Sequence, residues 1–471
     1  MIIEQIYTGC LAQGAYYIKS EGEAAIIDPL REVSPYISRA KADGVNIKYV
    51  FETHFHADFV SGHVTLAEAT GATIVYGPTA KTDFDAHIAS DGEIFKVGAI
   101  TIKVLHTPGH TMESSTYLLQ DASGKPHAIF TGDTLFLGDV GRPDLAQKAD
   151  SITQEDLAGL LFDSLRSKII PLPNDITVYP GYGAGSACGK NMMKETFDTL
   201  GNQKKMNYAL RADMSKAEFI KEVTTGLLPP PGYFPANVMM NKKGYAPIDK
   251  VLSKGLSPLD PNSFEESANA NEALVLDVRS AEDYAKGHIP GSIFIGLKGG
   301  FAPWVGALIV DVKQPLLLVV NDGQAEEAVT RLSRVGFDHT LGYLEGGIQS
   351  WIYSGKELDT VNTITVKDFE ATYLDQPSKI IDVRKVTEYQ SEHLKMAENA
   401  PLSDINAHLK LFSETQDNVF IHCQGGYRSM IAASILKSRG IHNFTEVRGG
   451  YAALSKTQIP KTDYVCPTTL R

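Results

Sequence analysis

The sequence predicts an α/β protein of three domains, a larger one first and then two copies of a smaller one. From residue 1 to about 200, short β-rich runs alternate with amphipathic segments. Between residues 227 and 262, prolines, glycines and lysines interrupt any helical or strand period, and beyond that break two stretches repeat one another. A chain of 471 residues also exceeds what one hydrophobic core usually organises.

In the first part, "AAIIDPL", "ATIVYG", "ITIKVLHT", "HAIFTGDTLF" and "ITVYPGYG" read as strands, and "SPYISRAKADG" and "GHVTLAEATG" as helices. The break, "LLPPPGYFPANVMMNKKGYAPIDKVLSKGLSPLDPN", marks a domain boundary. Past it, "LVLDVRSAEDYAKGHIPGSIFI" and "IIDVRKVTEYQSEHLKMAENAPL" align with Asp277 on Asp382 and His288 on His393. "LEGGIQSW" and "VRGGYAAL" follow in register, with a strand-loop-helix piece before each. Three blocks kept in order identify a duplication. The expected domains are residues 1–245, 258–358 and 361–471.

A net charge of −12 without a dense Lys/Arg cluster excludes a nucleic-acid face. No apolar run reaches the length of a membrane span. The first residues, "MIIEQIYTGCLAQGAYYI", lack a basic segment followed by an apolar one, so cytoplasm is the expected compartment. The four cysteines, Cys10, Cys188, Cys423 and Cys466, form no C-x-x-C pair and are judged as separate thiols.

"THFHADFVSGH" brings His54, His56 and Asp58 to a strand end; "LHTPGH" supplies His110 and "FTGDTLF" Asp133. Any one of these alone reads as a satisfied core or surface histidine. Three such blocks at successive strand ends point to one metal-binding site. In this order the blocks resemble the metallo-β-lactamase superfamily, which implies an αβ/βα sandwich over roughly residues 1–245. Two-metal hydrolases of that family, such as glyoxalase II, carry H-x-H-x-D-H and a later Y-P-x-H. Here Phe59 and Tyr182 stand at those two histidine positions, and neither is a good ligand for a divalent metal.

What remains is consistent with His54, His110 and Asp133 around one metal. A two-histidine, one-carboxylate set with open positions suits non-haem Fe(II), and the pattern resembles the persulfide dioxygenases. The expected cofactor is therefore one Fe(II) per chain. His56 and Asp58 then orient ligands and water, although spacing leaves open whether His56 itself ligates. "GDVGRPDL" also resembles that branch and makes Arg142 and Asp144 pocket or structural residues, the structural role being favoured. Cys188 is either a second sulfur-carrying or substrate-binding thiol or a small buried residue, and Tyr182 is a further candidate for the substrate pocket; Cys10 and Cys466 read as structural.

"VFIHCQGGYRSMIAASILKSRG" reads as a strand, a loop opened by Cys423 and closed by Arg428, and a helix. Loop N–H groups and a guanidinium stabilise a thiolate. With the "DVR…EH" block upstream, this resembles a rhodanese domain, whose cysteine carries a sulfane sulfur as a persulfide. The four residues between Cys423 and Arg428 match sulfur transfer; the related phosphatase loop encloses five. The middle copy has Asp322 at the cysteine position, which cannot form a persulfide, so it reads as a silent spacer or docking element.

Together the resemblances imply oxidation of a low-molecular-weight thiol persulfide by O₂ to sulfite, coupled to formation or use of thiosulfate at Cys423. The expected partners are these small molecules and further copies of the chain in a homo-oligomer, with no nucleic acid or membrane. A glyoxalase II-like thioester hydrolase and a non-catalytic sulfur relay are the competing readings.

Overall fold

The computed structural model describes residues 1–146, 151–376, 378–414 and 417–466; the last five residues of the third expected domain lie outside them. Chain contacts divide it into two compact units. One holds Met1–Ile248 with Ser333–Gly336; the other, Asp249–Leu332 and Phe337–Arg471, holds the rest of the two copies.

In the first unit, strands β1 (Ile2–Thr8), β2 (Gln13–Ser20), β3 (Glu23–Ile27), β4 (Asn46–Phe51), β5 (Thr73–Tyr76) and β6 (His87–Ile88) form one sheet in sequence order. Strands β7 (Ile94–Val97), β8 (Ile100–His106), β9 (Ser115–Gln120), β10 (Pro126–Gly132), β11 (Thr177–Pro180) and β12 (Asp198–Thr199) form the second, in the order β12-β11-β10-β9-β8-β7. The central strands of both sheets are buried on both faces, so they carry apolar residues at odd and even positions alike. On β2, Tyr16 and Ile18 face the opposite sheet, against Val104, Tyr117 and Phe130. Ala15 and Tyr17 instead meet Tyr36 and Ala40 of helix Ser34–Asp43. On β10, Ile129 turns outward to helices Gln154–Ser164 and Lys216–Thr224. The result is the expected αβ/βα sandwich.

One expectation needs correction. The break at residues 227–262 contains two helices, Phe234–Lys243 and Ile248–Gly255. Pro235 falls in the first turn, where its missing N–H costs nothing, and Gly244 ends the helix as its cap. Pro235 and Gly244, two of the residues that interrupt the period, are therefore helix boundaries.

The second unit holds two all-parallel sheets of one topology. The middle copy has β13 (Pro258–Leu259), β14 (Leu274–Asp277), β15 (Ile293–Phe294), β16 (Leu316–Val319) and β17 (Thr340–Leu344), ordered β13-β17-β16-β14-β15. The last copy has β18 (Thr363–Thr365), β19 (Ile380–Asp382), β20 (Ala397–Asn399), β21 (Val419–His422) and β22 (Phe444–Arg448), ordered β18-β22-β21-β19-β20. The duplication extends to side chains. Asp277 and Asp382 each grip an arginine two residues on, Arg279 and Arg384, at 2.6 Å. His288 stacks on Tyr284 at 3.9 Å, and His393 on Tyr389 at 3.6 Å.

Phe130 is fully buried at the centre of the sandwich, 4.9 Å from the Tyr16 ring and stacked on Tyr179 at 5.3 Å. Phe130→Ala is expected to destabilise the first unit by about 3–5 kcal/mol. Denaturant unfolding followed by a probe in that unit measures this as a lower midpoint.

Candidate metal centre and cysteine loop

The strand β4 stops at Phe51, and the ten residues from Phe51 to Val60 are all buried. A buried loop must find partners for its backbone polar groups. Asp28, at the end of β3, accepts from Thr53 N and Thr53 Oγ1, both at 2.8 Å. Glu113 accepts from Phe55 N at 3.1 Å. Asn241, on the helix Phe234–Lys243, donates to the carbonyls of His56 and Phe59, each at 2.8 Å, and accepts from Ser61 N at 2.9 Å.

This bracing fixes His54. Thr53 Oγ1 gives its hydrogen to Asp28 and so accepts from His54 Nδ1 at 3.0 Å, leaving the His54 Nε2 lone pair free. His110 donates from Nδ1 to the Arg142 carbonyl at 2.7 Å, which likewise frees its Nε2. The His110 loop is seated by Gly109, where a Cβ would lie 2.4 Å from Leu161, and by Ser164 Oγ donating to the Pro108 carbonyl at 2.8 Å. The two free nitrogens meet Asp133 Oδ2 at 3.9 Å from His54 and 3.4 Å from His110.

All three side chains are buried, and neither carboxylate oxygen of Asp133 has a hydrogen-bond partner. Burial pushes the Asp133 carboxyl well above the carboxylate range, with the Asp58 charge adding to it. Burial lowers both histidines, His110 to about 4, so both stay neutral as metal ligands require. Two imidazole lone pairs and an unpartnered buried carboxylate fit a divalent cation.

The other sequence-identified residues close around this set. His56 turns aside: its Nε2 lies 3.1 Å from Asp28 Oδ1, its Nδ1 3.3 Å from Tyr182 OH, and its ring lies 4.4 Å from that of Phe59. Tyr182 donates its hydroxyl to Asp58 Oδ1. Burial raises the Asp58 carboxyl to about 6 despite that bond. Arg142 grips Asp144 through two bonds of 2.7 Å and reaches the Leu228 carbonyl at 2.6 Å. Its role here is to brace, since its carbonyl holds His110 and its N–H donates to the Cys188 carbonyl at 3.0 Å. Cys188 is buried beside Asp133, and burial and that carboxylate both raise its thiol.

Sequence reasoning missed Asp28, Glu52 and Asn241. Asp28, Glu52 and His56 form a second group of potential metal ligands among the described residues. Asp28 is already engaged there by both donors of Thr53, while His56 Nε2 and Glu52 Oε2 have no hydrogen-bond partner. A carboxyl residue ending each of two apolar strands, "AAIID" and "YVFE", was the available signal.

In the last copy, Cys423 follows β21 and is buried. Its Sγ accepts from the Gly426 amide at 3.1 Å, at the start of helix Tyr427–Ser438, and lies 3.4 Å from Ser429 Oγ. Gly450 must be glycine, since a Cβ there would lie 2.4 Å from the Cys423 carbonyl. Arg428 turns to Glu388, with bonds of 2.6 and 2.8 Å, so its charge is already paired. Between them, Tyr427 donates to the Gly296 carbonyl of the middle copy at 2.7 Å. A Cβ on Gly299 would press the Tyr427 ring at 2.7 Å. Asp322 is exposed at the equivalent loop of the middle copy. Cys10 is half-buried and Cys466 exposed.

Known protein families match the domains of this chain in the same order. Residues 8–181 match the metallo-beta-lactamase superfamily model, and residues 260–354 and 365–457 each match the rhodanese-like domain model. The persulfide dioxygenase ETHE1 of Homo sapiens is 30% identical over 44% of this chain and 74% of its own length. A probable hydroxyacylglutathione hydrolase of Schizosaccharomyces pombe is 31% identical over 34% of this chain, which spans 59% of that relative. A crystal structure of a metallo-beta-lactamase from Staphylococcus aureus superposes with a TM-score of 0.64 at 32% identity, covering 73% of this chain and 98% of that one. The chain therefore belongs to the metallo-β-lactamase superfamily and carries two rhodanese-like domains behind that fold.

Proposed function

We propose that the first unit oxidises the outer sulfur of a low-molecular-weight thiol persulfide with O₂, releasing sulfite and the thiol, and that Cys423 carries sulfane sulfur into or out of thiosulfate. The observation that carries this reading is the donor set. His54, His110 and Asp133 converge with free ligand atoms, while the positions that would complete a second metal site are filled otherwise. Phe59 presents hydrocarbon to His56, and Tyr182 caps Asp58.

An Fe(II) ion held by His54, His110 and Asp133 would supply open coordination positions at which persulfide and dioxygen meet. Thr53 and the Arg142 carbonyl keep both imidazoles in the ligating tautomer. Phe59, Phe136 and Tyr182, all buried, limit water around the set. At the other site, the Gly426 amide and the helix start stabilise the Cys423 thiolate, which accepts or releases a sulfane sulfur. The hydroxyacylglutathione hydrolases among the relatives recommend a hydrolase instead, but that chemistry uses two metals and an activated water.

Cys423→Ser keeps the shape but replaces the thiolate with a hydroxyl. Supplied with a thiol persulfide, the variant is expected to take up O₂ and release sulfite where wild type yields thiosulfate. Supplied with thiosulfate and thiol, it should consume almost no O₂. Thiosulfate made at the wild-type rate would remove Cys423 from the scheme and turn attention to Cys188.

The middle copy separates chemistry from support. Asp322→Ala should leave thiosulfate:thiol transfer near the wild-type rate. Gly299→Leu, which crowds Tyr427, should lower it by about tenfold, an effect of loop misplacement. Steady-state transfer assays on the full chain read both.

Phe59→His with Tyr182→His returns ligands to the second position. Zinc-loaded double variant is expected to hold close to two ions per chain by elemental analysis, against about one for wild type. Equal metal content in both proteins would show that these two residues do not control the count.

A further inference from the structure

The last copy holds a buried carboxyl that none of the steps above uses. Glu446 lies on β22, whose parallel pairing sets it opposite Ile421, two residues before Cys423. Its Oε1 lies 2.7 Å from the Ser429 hydroxyl. That hydroxyl is also 3.1 Å from the Gly426 carbonyl and 3.4 Å from Cys423 Sγ. A serine has one hydrogen to give, so three acceptors compete for it. An ionised Glu446 is the strongest of them and takes it, leaving Sγ with the Gly426 amide. A protonated Glu446 instead donates to Ser429 Oγ and frees the hydroxyl hydrogen for Sγ.

We infer that Glu446 is a positioning residue for sulfur transfer, deciding through Ser429 whether the Cys423 sulfur receives a second hydrogen bond as it leaves. This rests on Cys423 being the sulfur carrier. In the step concerned, an acceptor thiolate attacks the outer sulfur of the Cys423 persulfide. A sulfur–sulfur bond forms to the acceptor and the bond to Sγ breaks. The electron pair leaves with Sγ, and the proton on the outer sulfur stays with the product. The negative charge thus passes from acceptor to Sγ, where the Ser429 hydrogen meets it.

Burial pushes the Glu446 carboxyl up to about 7, against the opposing pull of the Ser429 bond and Arg448. Arg448 lies on its own strand, and Arg428, on the adjoining helix, is taken by Glu388. From the middle copy, Arg279, Lys286 and Lys298, with Glu282 and Asp283, line the same cavity of about 630 Å³. The Ser429 hydrogen is therefore available to sulfur at low pH and is withdrawn as pH rises through about 7.

The test is discharge of the Cys423 persulfide by a thiol acceptor, in the full chain, from about pH 6 to about pH 8.5. Rates are taken as the ratio of Glu446→Gln to wild type, so that ionisation of the acceptor cancels. Glutamine donates to Ser429 at every pH. The ratio should be near one at pH 6 and rise to about fivefold at pH 8.5, the factor expected of one ordinary hydrogen bond. With Ser429→Ala in both proteins the rise should vanish. The ratio of Ser429→Ala to wild type should rise from about one fifth at pH 6 to near one at pH 8.5, testing the relay without altering Glu446. A ratio independent of pH, or a rise that survives Ser429→Ala, overturns the relay while leaving Cys423 as carrier. Wild type that takes no persulfide on Cys423 overturns both.

Discussion

The first unit is arranged around a buried carboxylate, Asp133, whose oxygens meet no N–H or O–H donor and have only the weakly donating Cys188 thiol beside them. Removing an ionised carboxyl from water costs several kcal/mol unless an opposite charge or strong donors replace the hydration. Asp133 has neither from the protein, and the two imidazoles facing it offer lone pairs. A cation relieves all three at once. The same need explains the local crowding, in which a Cβ on Gly181 would fall 2.9 Å from Asp133 Oδ1 and one on Gly141 would fall 3.0 Å from His110 Nδ1. Side chains there would displace the ligands.

The candidate metal triad was legible because each of its residues lies in a short motif near a strand end and the order of the motifs carries the family resemblance, although spacing left open whether His56 ligates. The braces were not legible. Asp28 meets the His54 loop because β3 and β4 run parallel, with Ile27 opposite Phe51. Asn241 reaches it from a helix in a stretch whose prolines and glycines look like a linker. Glu446 and Glu388 likewise reach the Cys423 loop through strand pairing and helix docking, which sequence distance conceals. Arg428 carried an anion-binding expectation from its position in the loop; its pairing with Glu388 became visible only in three dimensions.

The duplication has a physical use beyond the lost nucleophile. The middle copy retains the Asp–Arg grip and the Tyr–His stack that hold its fold, so its core is preserved while Asp322 replaces the thiol. Its Gly296 and Gly299 receive Tyr427 from the active loop, one residue from Arg428. The middle copy thus supports the loop that carries Cys423.

The most direct measurement is made on protein produced with iron and kept from air. Its metal content is determined, and the same sample is given a thiol persulfide with O₂ and, separately, an S-acylglutathione thioester. One metal in a two-histidine, one-carboxylate set predicts about one iron per chain, O₂ uptake with the persulfide and no thioester hydrolysis. Two tightly held zinc ions per chain, hydrolysis of the thioester and no O₂ uptake would contradict the account.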